Sequence, residues 1–375
     1  MPPTVSRREM LQGLLVAGVA LGADWPALAQ GEEVVPFTDL PAPAAGRVPP
    51  SLQSFFTASE EFFAVQHYAV PPPIDPATYT LRLTGLVDRP LQISLADLKK
   101  RPRIEQVVGF ECSGNNNARG NPLVGNARWA GTSLAPLLKE CGLKPTAREV
   151  VFFSVDKGTE EITHGGAPEK VEQHFARSLT VEDALRPEVM LAYEMDAAPL
   201  PHPHGAPVRL IVPGWYGVAN VKWIDHIHVQ ESRFMGRFMA RDYVTLRGDD
   251  AGGETVWNET SVSRTRLKSA IGRLTRAGAT LKATGFALTD GTPIKTIEVS
   301  VDGGPWKPAT LDKRNTPYSW QLFTYEWTGA SAGEHTIVSR ATDARAAVQP
   351  SEAELAAKKT RWENNAQFVR KFKIV

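Results

Sequence analysis

The sequence predicts an α+β domain followed by an all-β sandwich domain, and three observations carry that prediction. Strand patterns of period two alternate with short helical ones between residues 79 and 212. The composition then shifts at Gly248-Asp-Asp-Ala-Gly-Gly253, a hinge signal. Beyond it only strand patterns remain, at the spacing of a sandwich. A chain of 375 residues is long enough for two cores. Its net charge of +1 comes from dispersed bases, so nothing points to a nucleic-acid or membrane-surface partner.

The N-terminus reads first as an address. Ser6-Arg7-Arg8-Glu9-Met10-Leu11 precedes a short apolar run to about Leu21, and Ala27-Leu28-Ala29 offers small residues for a signal peptidase. This resembles a twin-arginine export signal, with cleavage near Ala29. The run is too short and glycine-rich for a membrane span, so the mature chain (from residue 30) has none and is expected in the periplasm. Such export carries folded proteins, often with a cofactor already installed. Residues 30–53, rich in proline and alanine from Pro36 to Pro50, read as an extended, mobile lead-in.

The first domain is set at 54–248. Tyr79, Leu81 and Leu83 alternate with polar residues as a half-buried strand ending at Gly85, and Ser94-Leu-Ala-Asp97 opens a short helix with a variant capping box. Ile104 to Phe110 is strand-like. Leu134, Leu137, Leu138 and Cys141 form an apolar helix face stopped by Gly142, so Cys141 is read as a buried hydrophobe rather than a disulfide partner. Further strands are expected at Glu149 to Val155 and Val208 to Val212. The second domain, 249–375, carries strands at Leu281 to Leu288, Ile297 to Val301 with a turn at Asp302-Gly-Gly304, and Thr336 to Ala341.

Chemistry concentrates in two places. Cys112 follows a strand and precedes Ser113-Gly114-Asn115, so its thiol belongs at a strand-to-loop mouth, either as a reactive or ligating thiolate or as an ordinary buried thiol. His204-Gly205, Arg209, Pro213 to Asn220 and Lys222-Trp223 put cations among glycine turns, as a buried phosphate requires. His226 and His228 share a strand face and read as polar strand residues, since a third metal ligand is not evident.

Seven ordered segments then resemble the sulfite oxidase family of molybdenum enzymes across nearly the whole mature chain. They are Phe62-Phe63 with His67, Phe110-Glu-Cys-Ser-Gly-Asn115, Arg128-Trp-Ala-Gly131, Leu191-Ala-Tyr-Glu-Met195, His204-Gly-Ala-Pro-Val-Arg209, Val221-Lys-Trp223 and Arg241-Asp-Tyr243. The resemblance implies a sulfite oxidase-type molybdopterin-binding domain and an immunoglobulin-like dimerisation domain, hence a homodimer. It implies the molybdenum–molybdopterin cofactor, with Cys112 as the protein thiolate on the metal. Phe63, His67, Asp156, His204, Arg209 and Lys222 then fall at cofactor contacts, and Tyr243 near the metal. The implied reaction is oxygen-atom transfer, converting sulfite to sulfate. With no C-x-x-C-H haem site, electrons would leave to an external acceptor, a c-type cytochrome.

The sequence departs from the family where an anion would be held. Val65 stands where Phe-Phe-x-Arg-Asn-His has arginine, Asn117 stands five residues after the cysteine where arginine is usual, and Arg361-Trp-Glu-Asn-Asn365 does not reproduce Trp-Asn-x-Arg-Gly. Arg119 is placed to compensate. His67 reads either as a donor near the metal or as a pterin contact or core histidine. Another small S- or N-oxo compound is therefore the alternative substrate, and a non-catalytic cofactor-binding protein the alternative of another class.

Overall fold

The structure, a computed structural model, describes residues 31–39, 52, 54–116, 123–163 and 165–375. The export signal, Asn117 and Arg119 lie outside the described residues.

Two sheets frame the first half. One is antiparallel, in the order Arg209–Ile211, Met190–Met195, Val124–Ser133, Arg103–Glu111. The other runs Leu91–Ser94, Thr80–Gly85, Ile224–Gln230, Glu149–Ile162, Glu169–Thr180, with one parallel pairing between Thr80–Gly85 and Ile224–Gln230. Alternating burial in Thr80–Gly85 sends Leu81 and Leu83 into a core shared with Leu134, Leu138 and Cys141 of the helix Leu134–Cys141. That helix ends at Gly142, whose φ of +70° favours glycine, and the Ser94 hydroxyl accepts the Asp97 N–H to start Leu95–Lys100. Cys141 is fully buried and in no disulfide.

The molecule is mostly β rather than evenly α+β. The α-helices among the described residues are Leu95–Lys100, Leu134–Cys141, Val181–Ala184 and Arg237–Ala240, the longest of eight residues. Strand ladders hold many of the other buried apolar positions, and loops carry further ones such as Phe62, Trp215, Trp223 and Trp320.

The second half is a two-sheet sandwich. Its five-stranded sheet is Glu33–Val34, Lys268–Ala277, Thr280–Leu288, Gln321–Thr328, Thr310–Leu311, and its four-stranded sheet is Lys307–Pro308, Ile294–Val301, Gly333–Asp343, Arg370–Ile374. Leu274, Leu281 and Phe323 of one sheet meet Val299, Ile337 and Phe372 of the other.

Two expectations change. The start of the lead-in is docked on the sandwich: Glu33 and Val34 pair with Arg276 and Thr275, Val35 is buried, and Asp39 meets Arg370 at 3.1 Å, while residues 40–50 of the proline-rich stretch lie outside the described residues. An apolar residue within reach of an open sheet edge docks there. Gly248 to Gly253 is no hinge either, because Val244–Asp250 and Thr255–Ser261 form a hairpin in which Gly248 pairs with Trp257 and Gly252 and Gly253 lie in the turn, with Gly253 N–H donating to Asp250 Oδ1.

The halves join through buried contacts. Trp320 donates from Nε1 to the Phe55 carbonyl at 2.9 Å, and Gly109 N–H to the Tyr318 carbonyl at 2.8 Å. The strand that ends at the cysteine is thus held from the sandwich side.

Candidate active site

The ladder of Arg103–Glu111 with Val124–Ser133 stops at Glu111, paired to Val124, and Cys112 follows immediately. Cys112 N–H donates to the Leu123 carbonyl at 3.0 Å, and its carbonyl accepts Asn115 N–H at 2.8 Å, closing a turn. Cys112 is only 9 % exposed and lines a pocket with Phe63, Val65, His67, Asp156, Arg209 and Tyr243.

A cluster of cations forms a second wall. The short 3₁₀ turn His202–His204 ends at Gly205, whose φ is +106° and whose missing Cβ would sit 2.9 Å from Lys222 Cα, so only glycine permits that approach. Lys222 Nζ donates to the Pro203 carbonyl at 3.0 Å, and burial plus the nearby Arg209 charge pull its pKa down to about 7. Arg209 is buried over the Trp129 ring at 4.8 Å, donating from Nη1 and Nη2 to the His204 and Asn220 carbonyls. Its Nε is buried without a hydrogen-bond partner. His204 donates from Nε2 to the Ser59 carbonyl at 2.7 Å, and burial lowers its pKa to about 4.

Asp156 reaches this wall through an irregularity. The pairing of Glu149–Ile162 with Glu169–Thr180 shifts between Phe153 and Lys157, and the intervening residues leave the ladder. Asp156 lines the pocket and accepts the Ser154 hydroxyl; burial raises its carboxyl above the usual range, against that bond and Lys222.

Opposite lies an aromatic pair. His67 Nε2 and Tyr243 OH share a 2.7 Å hydrogen bond. Burial first, then Lys222, lowers the His67 pKa to about 4, so the ring is neutral near pH 7. Burial and the neighbouring Cys112 raise the Tyr243 phenol well above its usual value.

Seven residues expected as cofactor contacts line this pocket together: Phe63, His67, Cys112, Asp156, His204, Arg209 and Lys222, with Tyr243 beside them. His226 and His228 lie elsewhere, both bonded to the Thr84 hydroxyl at 2.7 and 3.0 Å. Sequence reasoning missed the aromatic support. Phe175 stacks on His67 at 4.8 Å, Trp362 stacks on Tyr243 at 4.4 Å, and Glu363 N–H donates to the Ser113 carbonyl at 2.8 Å. Trp362 belongs to the Arg361-Trp-Glu-Asn-Asn365 segment that the sequence singled out as divergent, but its stacking on Tyr243 was not foreseen; Phe175 could have been found from its place on an inward strand face.

Among the described lining residues, Arg209 and Lys222 outnumber the single carboxylate, Asp156, and Arg209 carries an orphaned guanidinium N–H. A phosphate-bearing group that takes a soft thiolate fits this donor set. Fold and site together define a cofactor-dependent oxidoreductase.

Comparison with known proteins makes this definite. Residues 67–238 match the family described as "Oxidoreductase molybdopterin binding domain" and residues 258–369 the "Mo-co oxidoreductase dimerisation domain". "Sulfite oxidase" of Gallus gallus is 31 % identical, over 80 % of this chain and 69 % of its own length. "Sulfite oxidase" of Arabidopsis thaliana is 28 % identical, over 81 % and 84 %. Against the mitochondrial sulfite oxidases of rat and human the chain spans 59 % of their length. The "Sulfane Dehydrogenase SoxCD" of Paracoccus pantotrophus shares the fold, with a TM-score of 0.71, 23 % identity and coverage of 87 % of this chain and 85 % of that one. The chain belongs to the sulfite oxidase family of molybdopterin oxidoreductases, and its cofactor is molybdenum–molybdopterin. Membership in an enzyme family replaces the alternative of a non-catalytic carrier.

Proposed function

We propose that this oxidoreductase oxidises sulfite: sulfite and water give sulfate, two protons and two electrons. The observation that carries the reading is Cys112 and Tyr243 sharing one pocket with the cations Arg209 and Lys222 and the donor His204. Bound molybdopterin supplies the two-electron, oxygen-atom chemistry. Cys112 would hold the metal; His204, Arg209 and Lys222, with Asp156 and Phe63, would hold the pterin and its phosphate. The protein's part is to fix position, neutralise charge and keep water out behind Phe63, Phe175 and Trp223. His67 and Tyr243 offer a polar pair to a substrate near Cys112.

The remaining assignments rest on sequence. Only Cys112 and Cys141 are present, so no haem is attached through C-x-x-C-H, and electrons pass to an external c-type cytochrome. The dimerisation-domain match supports a homodimer. The Ser6-Arg7-Arg8 signal supports a periplasmic address. No helix among the described residues is long and apolar enough to cross a membrane.

Val65 favours a second reading. It lines the pocket as a neutral side chain, which suits a less charged S- or N-oxo compound better than a dianion. Steady-state assays of metal-loaded protein with sulfite and a dye or cytochrome acceptor decide between them. Turnover that Cys112→Ala abolishes supports the first; no turnover with sulfite moves the assignment to the second.

A further inference from the structure

Glu111, the residue before the cysteine, is 1 % exposed, and its Oε2 lies 2.9 Å from Nζ of Lys268, which is fully buried at the start of the sandwich strand Lys268–Ala277. The same oxygen accepts Asn115 Nδ2 at 3.0 Å. Asn115 Oδ1 accepts Leu123 N–H at 2.9 Å, and Leu123 in turn accepts Cys112 N–H. Glu111 Oε1 is buried with no hydrogen-bond partner. One ammonium from the sandwich therefore anchors a carboxylate, an amide and the turn on both sides of the thiol.

Such a pair is a poor way to stabilise a core. Removing two charges from water offsets most of their attraction, and apolar replacements of like volume often do as well. What the pair does supply is fixed geometry, since Lys268 can neutralise Glu111 only in this register. We propose that Lys268 is a positioning residue for the Cys112 ligand: through Glu111 and Asn115 it sets where the thiolate meets the metal, and it cancels a negative charge one residue from that thiolate. The proposal rests on the reading of Cys112 as the metal ligand.

The test uses full-length, cofactor-loaded protein and three variants: Glu111→Gln, Lys268→Met, and Glu111→Met combined with Lys268→Met. Metal content, the metal's absorption and electron paramagnetic resonance spectra, and the melting midpoint are recorded for each. Glu111→Gln keeps an oxygen for the Asn115 amide but leaves the buried Lys268 ammonium without its counter-charge, so its melting midpoint should fall and its metal spectra should shift. Lys268→Met strands a buried carboxylate and should lose roughly tenfold or more in metal content. The double variant should regain the fold while its spectra stay shifted, and it serves where the single Lys268 variant fails to fold. Spectra of Glu111→Gln and of the double variant superimposable on the parent would overturn the proposal. Cys112→Ala separates the two questions: if it leaves the metal spectra unchanged, the ligand assignment itself fails.

Discussion

His67 Nε2 and Tyr243 OH lie 2.7 Å apart although 176 residues separate them in sequence. Phe175 stacks on the imidazole and Trp362 on the phenol, so neither ring can rotate away without losing an aromatic contact. The pair is thus preorganised beside Cys112.

Tyr243→Phe removes the hydrogen bond and keeps both stacks. The fold should lose about 1 kcal/mol, while turnover falls roughly tenfold, the effect of one hydrogen bond made to the reacting group. Steady-state kinetics separate the outcomes: a fall in kcat supports a role at the reacting atoms, whereas a change confined to KM makes Tyr243 a binding residue only.

The two depressed histidines predict acid sensitivity. His67 and His204 have folded pKa values of about 4, against 6.5 for the free side chain, chiefly because burial disfavours the cation. Between pH 6.5 and 4 the unfolded chain therefore binds more protons than the folded one. Stability is fully present above pH 6.5 and is lost as pH falls toward 4, on the order of 3 kcal/mol from the buried His204 alone. Melting midpoints of cofactor-free protein from pH 7.5 to 4.5 should fall, and His204→Gln should flatten part of that fall. A curve equally steep in that variant refutes the assignment.

Much of this arrangement is legible in the sequence. Cys112 sits where a strand-ending Phe-Glu precedes turn residues, and the helix Leu134–Cys141 is written in its apolar spacing and Gly142. The Arg209 and Lys222 cluster could be read because the cations are crowded between glycine turns. Three things were hidden. The glycine-rich run at 248–253 belongs to a hairpin rather than a hinge, and composition does not distinguish these two uses. Asp156 was reached only through the family resemblance, because the ladder irregularity that carries it into the pocket has no local signature. Lys268 and Trp362 act from the sandwich, so their roles exist only once long-range packing brings them to the cysteine turn.

Lys222 couples cofactor binding to protons. With its pKa drawn down to about 7 by burial and Arg209, a large share of this lysine is neutral above that pH in the cofactor-free protein. An anionic group beside it restores the cation, so binding between pH 7 and 10.5 takes up a proton and weakens as pH rises. Calorimetric titration of cofactor-free protein with molybdopterin, in buffers of different ionisation enthalpy, should show that uptake. Lys222→Met should abolish it and flatten the pH dependence; uptake undiminished in the variant assigns the proton to another group.

Val65 provides the sharpest test of substrate charge. It lines the pocket with His67 and Cys112, and its neutral side chain occupies the position where the family pattern Phe-Phe-x-Arg-Asn-His has arginine. A hydrogen bond from a charged donor to an anion contributes about 1.5 to 3 kcal/mol, which corresponds to roughly ten- to a hundredfold in affinity. If the protein turns over a dianion such as sulfite, Val65→Arg should lower KM by about that factor, with the gain shrinking as salt screens the charge. If the substrate is a neutral S- or N-oxo compound, the same guanidinium enters a site built without one, and KM should rise. Assaying Val65→Arg and the parent with sulfite at low and high ionic strength, and again with a neutral sulfoxide, reads the sign directly: a lower, salt-sensitive KM for sulfite supports sulfite oxidation, and unchanged sulfite kinetics with impaired sulfoxide turnover support the less charged substrate.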